Sequence, residues 1–175
     1  MQLRPIFLAI GIMTVLLGLA MIPCALMDYA DGRAETYVFE VSAFGSILIG
    51  ACMWVLSRGD VERTGQREGF LLTVLVWVFL PMIAAIPFLA SGMTVTDSLF
   101  ETISGLTTTG ATVMTGLDDM PRGLLLWRAI LQWIGGIGII VTAIAILPQL
   151  RVGGMQLFEL ESSDMSGKFL PRITD

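Results

Sequence analysis

The chain has 175 residues, of which 55% are hydrophobic and 14% charged, and its mean hydropathy is +0.81. Soluble domains lie well outside this range, so a membrane protein is indicated. The net charge is −5, and the lack of a basic stripe excludes a nucleic-acid-binding surface. The sequence contains no histidine, which excludes imidazole chemistry and most zinc sites.

Four apolar stretches are long enough to cross a bilayer, which takes about 20 helical residues. They are residues 6–26, 37–56, 70–90 and 124–150. The first exceeds the apolar core of a signal peptide, about 7–15 residues, and is therefore interpreted as a retained span. Pro81 and Pro87 predict a kink or a frayed end in the third. Cys24 and Cys52 lie in the first two spans and are expected to be buried free thiols.

Between the third and fourth spans lies "MTVTDSLFETISGLTTTGATVMTGLDDMPRG", which is too polar to span and too apolar for a plain loop. It is predicted to start as a short helix capped by Thr96 or Asp97, because Ser98 and Glu101 repeat the spacing of a capping box. An apolar face at helical spacing supports this helix: Leu99, Phe100, Ile103 and Leu106. The helix is expected to end near Gly105, before a run of threonines.

A short helix followed by an extended polar turn is typical of a re-entrant loop, which is tolerated at membrane depth only inside protein or beside a water-filled cavity. Lysine and arginine favour the cytoplasmic side, and they test this interpretation. If residues 97–117 do not cross the membrane, seven basic residues lie on the cytoplasmic side: Arg4, Arg58, Arg63, Arg67, Arg151, Lys168 and Arg172. The sequence therefore predicts an all-α membrane protein with four transmembrane helices, both termini in the cytoplasm, and one re-entrant pore helix with an extended filter loop between helices three and four.

The stretch "TTTGA" contains Thr107, Thr108, Thr109, Gly110 and Ala111. A dehydrated cation needs oxygens in place of its water shell, and an extended backbone can supply carbonyls. Glycine permits the unusual backbone angles that such a loop requires. We therefore predict ion binding by these five residues, although a simple turn that joins two helices is the alternative.

Further along the same segment, Asp118 and Asp119 are expected at the outer mouth, where they would concentrate cations. The preceding helix would turn its negative C-terminal end toward a bound cation.

Two longer motifs carry a family resemblance. "FETISGLTTTGATV", followed by "LLLWRAILQWIGGIGIIVTAIAILPQLRVGGMQLFELE", resembles the first pore repeat of the Trk/Ktr/HKT potassium transporters, and most of all the bacterial TrkH/TrkG-type membrane subunits. The pattern W-R-x-x-x-Q-W-x-G-G-x-G-I-I at residues 127–140 is its most specific part. The two spans before the repeat are similar to the extra N-terminal helix pair of the TrkH proteins.

The resemblance implies a function and its parts. It implies K⁺ uptake across the bacterial cytoplasmic membrane, with K⁺ at Thr108, Thr109 and Gly110 and with Gly110 as the filter glycine. K⁺ is then the transported ion, no cofactor is required, and the protein is not an enzyme. The implied partners are membrane lipid, further pore repeats or copies of the chain, and a TrkA-like cytoplasmic nucleotide-binding subunit.

Three remaining polar or small features have open interpretations. Glu101 is expected to lie behind the filter and accept hydrogen bonds from filter N–H groups, with an interface or capping role as the alternative. Arg128 is expected to pair with Glu101 or the outer acidic residues, or to extend to the outer interface. Glycines 135, 136 and 138 are interpreted as a face for close helix packing, with a flexible point as the alternative.

The organisation departs from the family, whose members carry four such repeats in one chain where this sequence has one. We predict an N-terminal helix pair with its cytoplasmic loop at 1–67, a helix–pore loop–helix repeat at 68–150 and a cytoplasmic linker at 151–175. The expectation is a fragment of a longer transporter; the alternatives are an assembly of several copies and a non-conducting truncated subunit that packs against full-length chains.

Overall fold

The fold is known from a computed structural model, which describes residues 3–32, 37–59 and 66–146. These residues form six α-helices: α1 (Arg4–Ala30), α2 (Tyr37–Leu56), α3 (Gln66–Ala84), α4 (Ile86–Ala90), α5 (Val95–Leu106) and α6 (Arg122–Ile146). A single 3₁₀ turn at Leu117–Asp119 precedes α6. The predicted linker at 151–175 and the last residues of the fourth predicted span lie outside the described residues.

Four helical stretches are long and apolar enough to cross a membrane: Arg4–Ala30, Tyr37–Leu56, Arg67–Ala90 and Arg122–Ile144. For the described residues, this confirms the prediction of an all-helical fold with four helices able to span a membrane. The 12 residues of α5 reach only about 18 Å at the α-helical rise, whereas the apolar part of a bilayer is about 30 Å thick.

Small residues bring α1 and α2 into close contact. A Cβ on Gly11 would stand 2.8 Å from the carbonyl oxygen of Gly50, and a Cβ on Gly50 would stand 2.6 Å from that of Gly11. Only glycine fits where two helix backbones approach this closely. Cys24 of α1 is buried as expected, but Cys52 of α2 is exposed. That part of the prediction was wrong, because Cys52 lies on a face of α2 that no described element covers.

The helix of the third span is interrupted between Pro81 and Pro87, as these two prolines predicted. α3 contains Pro81 and ends at Ala84, and α4 begins at Ile86 with Pro87 in its first turn. The indole N–H of Trp127 in α6 donates to the carbonyl oxygen of Ala84 at 3.0 Å, so a carbonyl at the break has a partner.

α6 lies between the N-terminal helices and α5. Its fully buried Trp127 packs edge-on against Phe39 of α2, with ring centroids 6.4 Å apart. On the other side, a Cβ on Gly135 would overlap the Leu106 carbonyl at the end of α5, and Leu131 packs on Gly105. Any shift of α6 therefore displaces residues of both the helix pair and the segment that follows α5.

The N-cap of α5 lies two or three residues before the predicted cap. Thr94 is the N-cap, and its hydroxyl accepts a hydrogen bond from the backbone N–H of Asp97 at 3.2 Å. The predicted capping box of Ser98 and Glu101 is absent, since Thr94 and Asp97 already form a threonine–aspartate box and contact each other at 2.7 Å. Glu101 then lies mid-helix, free to bond elsewhere.

Candidate functional site

α5 buries its polar face and exposes part of its apolar one. Ser98, Glu101 and Thr102 are buried, whereas Phe100 is 43% and Ile103 48% exposed. A soluble domain would place these faces the other way round, because water would solvate the polar side. Polar partners for the buried face must therefore come from the protein itself.

The carboxylate of Glu101 gathers donors from the segment that follows α5. Its Oε1 accepts hydrogen bonds from the Thr112 hydroxyl at 2.5 Å, the Val113 N–H at 2.7 Å and the Met114 N–H at 3.3 Å. Glu101 itself is only 2% exposed. Backbone N–H groups bonded to a charged acceptor are held more firmly than those bonded to neutral ones, so Glu101 fixes the path of the chain at residues 112–114.

Arg128 of α6 balances the charge of this carboxylate. Its Nε lies 2.9 Å from Glu101 Oε2, and its side chain is 21% exposed. Three positions were predicted for the Arg128 side chain, and the structure shows the one in which it forms an ion pair with Glu101. A buried carboxylate without such a partner would be costly, since burial removes its hydration.

Ser104 holds the turn that contains the threonines. Its carbonyl oxygen accepts the N–H groups of Thr109 at 3.0 Å and Gly110 at 3.2 Å. Its hydroxyl donates to the carbonyl of Ala111 at 2.6 Å. One residue at the C-terminus of α5 thus binds three consecutive residues of the loop.

Two residues of this turn have left-handed backbone angles. Gly110 has φ +75° and Thr108 has φ +57°, and Thr108 is the only non-glycine residue with positive φ in the part of the chain that the structure describes. The positive φ of Gly110 is the kind of unusual backbone angle that a filter loop was expected to need and that glycine permits. A Cβ there would also stand 3.1 Å from the side-chain nitrogen of Gln132.

The hydrogen bonds of the N–H groups determine where the carbonyls point. The described peptide bonds are trans, and in a trans peptide the N–H and the preceding C=O point in opposite directions. Because the N–H groups of Thr109 and Gly110 point at Ser104, the carbonyls of Thr108 and Thr109 are directed away from α5. The carbonyls of Thr112 and Val113 are directed away for the same reason, since the following N–H groups point at Glu101.

The remaining predicted residues have distinct surroundings. The carbonyl of Ala111 faces the Ser104 hydroxyl. The Thr107 hydroxyl bonds to the carbonyl of Ile103 at 2.7 Å and lies 2.9 Å from the Thr109 hydroxyl. The structure places Asp118 and Asp119 in the exposed 3₁₀ turn at the far end of the segment.

A cavity of about 260 Å³ lies between the turn and α6. The side chains that line it are Glu101, Leu125, Arg128, Ala129 and Gln132, together with Gly105 and Gly110. The ion pair of Glu101 and Arg128 therefore shares this cavity with Gly110 of the turn.

The sequence did not identify Ser104 as an anchor of the turn, because a serine near the end of a helix is common and its bonds depend on the path of the loop. Asp28, which is buried at the end of α1 and bonds to the backbone of α6, was also missed. The signal available in the sequence was an acidic residue at the end of an apolar span.

Comparisons with known proteins identify relatives of this chain. A family model described as "TrkH: Cation transport protein" matches residues 37–175. The Trk system potassium uptake protein TrkH of Escherichia coli (strain K12) is 43% identical, over all of this chain and 37% of that protein. Trk system potassium uptake protein TrkG of the same strain is 34% identical, over 94% of this chain and 35% of that protein.

The fold agrees as well. The crystal structure of the potassium transporter TrkH from Vibrio parahaemolyticus matches with a TM-score of 0.81 and 41% identity, over 88% of this chain and 34% of that one. The chain thus spans about a third of the length of the relatives it matches. With a family model that covers most of its residues, the chain belongs to the TrkH family of cation transport proteins.

Proposed function

We propose that this chain provides one filter-lining segment, with its supporting helices, of a Trk-type system for K⁺ uptake across the bacterial cytoplasmic membrane. The observation that carries the proposal is the outward direction of the carbonyls of Thr108 and Thr109, which follows from the N–H groups bound by Ser104. These two carbonyls and that of Gly110 coordinate K⁺, and Ala111 keeps the end of the turn in place through its bond to Ser104. The named relatives, which are potassium uptake proteins, support the choice of ion.

Electrostatics around the turn favour a cation. The C-terminal end of α5, which carries the negative end of the helix dipole, lies directly before the turn. Arg128 would repel a nearby cation if it stood alone, but Glu101 neutralises it at 2.9 Å. A passing K⁺ therefore meets carbonyl oxygens and no net positive charge behind them.

In the membrane, α5 acts as a re-entrant pore helix. It is too short to span, and its exposed residues Phe100 and Ile103 offer an apolar face to further protein or lipid. Both termini are cytoplasmic on this proposal, which places Asp118 and Asp119 at the outer mouth. Further pore repeats or copies of the chain complete the ring of carbonyls, and a TrkA-like nucleotide-binding subunit binds on the cytoplasmic side.

Gly110→Ser tests the filter. The new Cβ would carry the strain of a positive φ, about 1–2 kcal/mol, and would press on Gln132. The matched control is Gly32→Ser, since Gly32 has a similar φ of +67° and a Cβ there would meet no described residue within 4 Å. The gene is expressed as it stands in the genome, in cells that lack their own K⁺ importers, and ⁸⁶Rb⁺ uptake is measured with Na⁺ as competitor.

Gly110→Ser is expected to reduce uptake or to increase inhibition by Na⁺, at a normal level of protein in the membrane. Gly32→Ser should behave like the unaltered protein. Wild-type uptake and selectivity in Gly110→Ser would mean that the threonine stretch is only a turn. If the unaltered protein itself supports no uptake, the non-conducting alternative is the correct one.

A further inference from the structure

Asp28 connects the N-terminal helix pair to α6. It lies in the last turn of α1, is 2% exposed, and its Oδ1 accepts a hydrogen bond from the backbone N–H of Gly123 at 2.7 Å. Gly123 is the second residue of α6, whose first N–H groups have no partner within the helix. The carboxylate of one helix therefore caps another helix that is 95 residues away in the sequence.

The residue that donates this hydrogen bond, Gly123, has no room for a side chain. A Cβ on Gly123 would overlap the Asp28 carboxylate, so one of the two groups would have to move. The contact thus fixes α6 both along its axis, through the hydrogen bond, and laterally, through the close approach.

α6 transmits this position to the turn. Arg128 follows Gly123 by five residues, or about 7.5 Å along the helix, and its Nε holds Glu101 at 2.9 Å. Glu101 in turn holds the N–H groups of Val113 and Met114. Between the two contacts, Trp127 is fully buried, so this stretch of α6 moves as one piece.

We propose that Asp28 is a positioning residue for the filter segment, acting through the N-terminus of α6 and the pair of Arg128 and Glu101. The inference rests on the proposed function. It makes the N-terminal helix pair part of the support of the filter, because loss of the Asp28 contact lets Arg128 and Glu101 shift and loosens the segment at residues 107–114.

Four single variants and one double variant of the full protein test this. Asp28→Ala removes the acceptor, Asp28→Asn keeps an acceptor oxygen but removes the charge, and Gly123→Ala pushes the carboxylate away. The control is Asp31→Ala at the same end of α1, because among the described residues Asp31 pairs at 3.4 Å with Arg122, whose side chain is 70% exposed. Such exposed pairs contribute little to stability.

The first measurement is hydrogen exchange of peptides from 107–114 and from 122–128, on monodisperse protein in lipid nanodiscs. Asp28→Ala and Gly123→Ala should speed exchange in both peptides on the order of tenfold, the factor expected for a lost hydrogen bond to a charged group. The exchange rates in Asp28→Asn should lie between those of these two variants and those of the unaltered protein. Asp31→Ala should leave the exchange of 107–114 unchanged. The double variant Asp28→Ala/Gly123→Ala should be no worse than Asp28→Ala, because the smaller side chain makes room for the new Cβ.

The second measurement is ⁸⁶Rb⁺ uptake with Na⁺ competition, in which Asp28→Ala should increase inhibition by Na⁺ and Asp28→Asn should restore most of the selectivity. Faster exchange confined to 122–128, with 107–114 and selectivity unchanged, would overturn the proposal and leave Asp28 as a local cap. If Asp28→Ala does not yield folded protein, Asp28→Asn and Gly123→Ala decide by the same two criteria. If the unaltered protein takes up no Rb⁺, the proposed function fails, and the exchange of 107–114 still decides whether Asp28 positions that segment.

Discussion

Backbone strain is concentrated at the residues whose carbonyls face outward. Thr108 has φ +57°, and a left-handed conformation costs a residue with a Cβ about 1–2 kcal/mol. Ser104 offsets this cost, since its carbonyl accepts two N–H groups of the turn, each contributing about 1 kcal/mol. Strain held in this way is typical of sites where the geometry of the backbone is itself the functional group.

At the residue scale, Glu101→Gln separates shape from charge. The side-chain amide of glutamine can keep an acceptor toward Val113 and Met114 only by turning its NH₂ group toward the Nε–H of Arg128, where two donors then face each other. A clash of this kind costs about 2 kcal/mol. We expect ⁸⁶Rb⁺ uptake to fall at least about tenfold while the amount of protein in the membrane stays normal.

The control for this change is Glu40→Gln, which removes a carboxylate from an exposed position in the first turn of α2. Uptake in the control should match that of the unaltered protein. Unchanged uptake kinetics in Glu101→Gln would show that the charge pair behind the turn has no part in conduction.

The role of Glu101 could be predicted only in part. A carboxylate within an apolar segment must find donors, which is why N–H groups of the loop were expected as its partners. The donors are the N–H groups of Val113 and Met114, three and four residues after Gly110. Their identity depends on the path of an irregular loop, which hydropathy and spacing do not determine.

At the scale of elements, periodicity predicted the existence of α5 but not the face that it buries. The predicted apolar face is divided, since Leu106 is buried while Phe100 and Ile103 are exposed. The rule that apolar residues lie inside requires water outside, and a lipid or protein surrounding removes that distinction. The end of the helix near Gly105 was predicted correctly, because the threonines and glycine that follow do not continue the helix.

Two glycines of α6, Gly135 and Gly138, allow the contact between α5 and α6 to be tested by substitution. Gly135→Ala would place a Cβ into the Leu106 carbonyl, whereas Gly138→Ala meets nothing within 4 Å in the described part of the chain. We expect Gly135→Ala to lower the midpoint of thermal unfolding in detergent and to reduce uptake. Gly138→Ala should leave the midpoint unchanged or raise it, because alanine favours a helix over glycine by about 1 kcal/mol.

Equal midpoints for the two variants would contradict the packing of α5 on α6. The predicted glycine face is thus narrower than its sequence suggested. A Cβ on Gly135 would meet the Leu106 backbone, one on Gly136 would stand 3.7 Å from Thr108, and one on Gly138 would meet nothing within 4 Å among the described residues.

At the scale of the whole molecule, the order of the four spans follows from hydropathy alone. The contact between the first and the last does not, because it joins Asp28 to Gly123 and no sequence pattern connects them. Large apolar side chains remain exposed along the described helices, among them Leu16, Phe44 and Ile144. Such a surface suits a chain surrounded by lipid and further helices.

The proposed orientation, with both termini in the cytoplasm, rests on the distribution of basic residues, and cysteine labelling tests it. In a background without Cys24 and Cys52, a membrane-impermeant reagent added outside should label cysteines placed at positions 31 and 118. It should not label cysteines at 63 and 165 until the cells are opened, which serves as the control for reactivity. Labelling at 165 in intact cells would mean that residues 97–117 cross the membrane, and the re-entrant arrangement would be wrong.

Anomalous diffraction from Rb⁺-soaked crystals of the transport-competent protein, with any further repeats or copies in place, tests the central claim most directly. Rb⁺ replaces K⁺ and can be located by its own scattering. The account predicts an Rb⁺ peak within coordination distance of the carbonyl oxygens of Thr108 and Thr109, and a weaker peak or none in Gly110→Ser. Rb⁺ peaks that all lie away from the oxygens of residues 107–110, in protein that still transports Rb⁺, would contradict it.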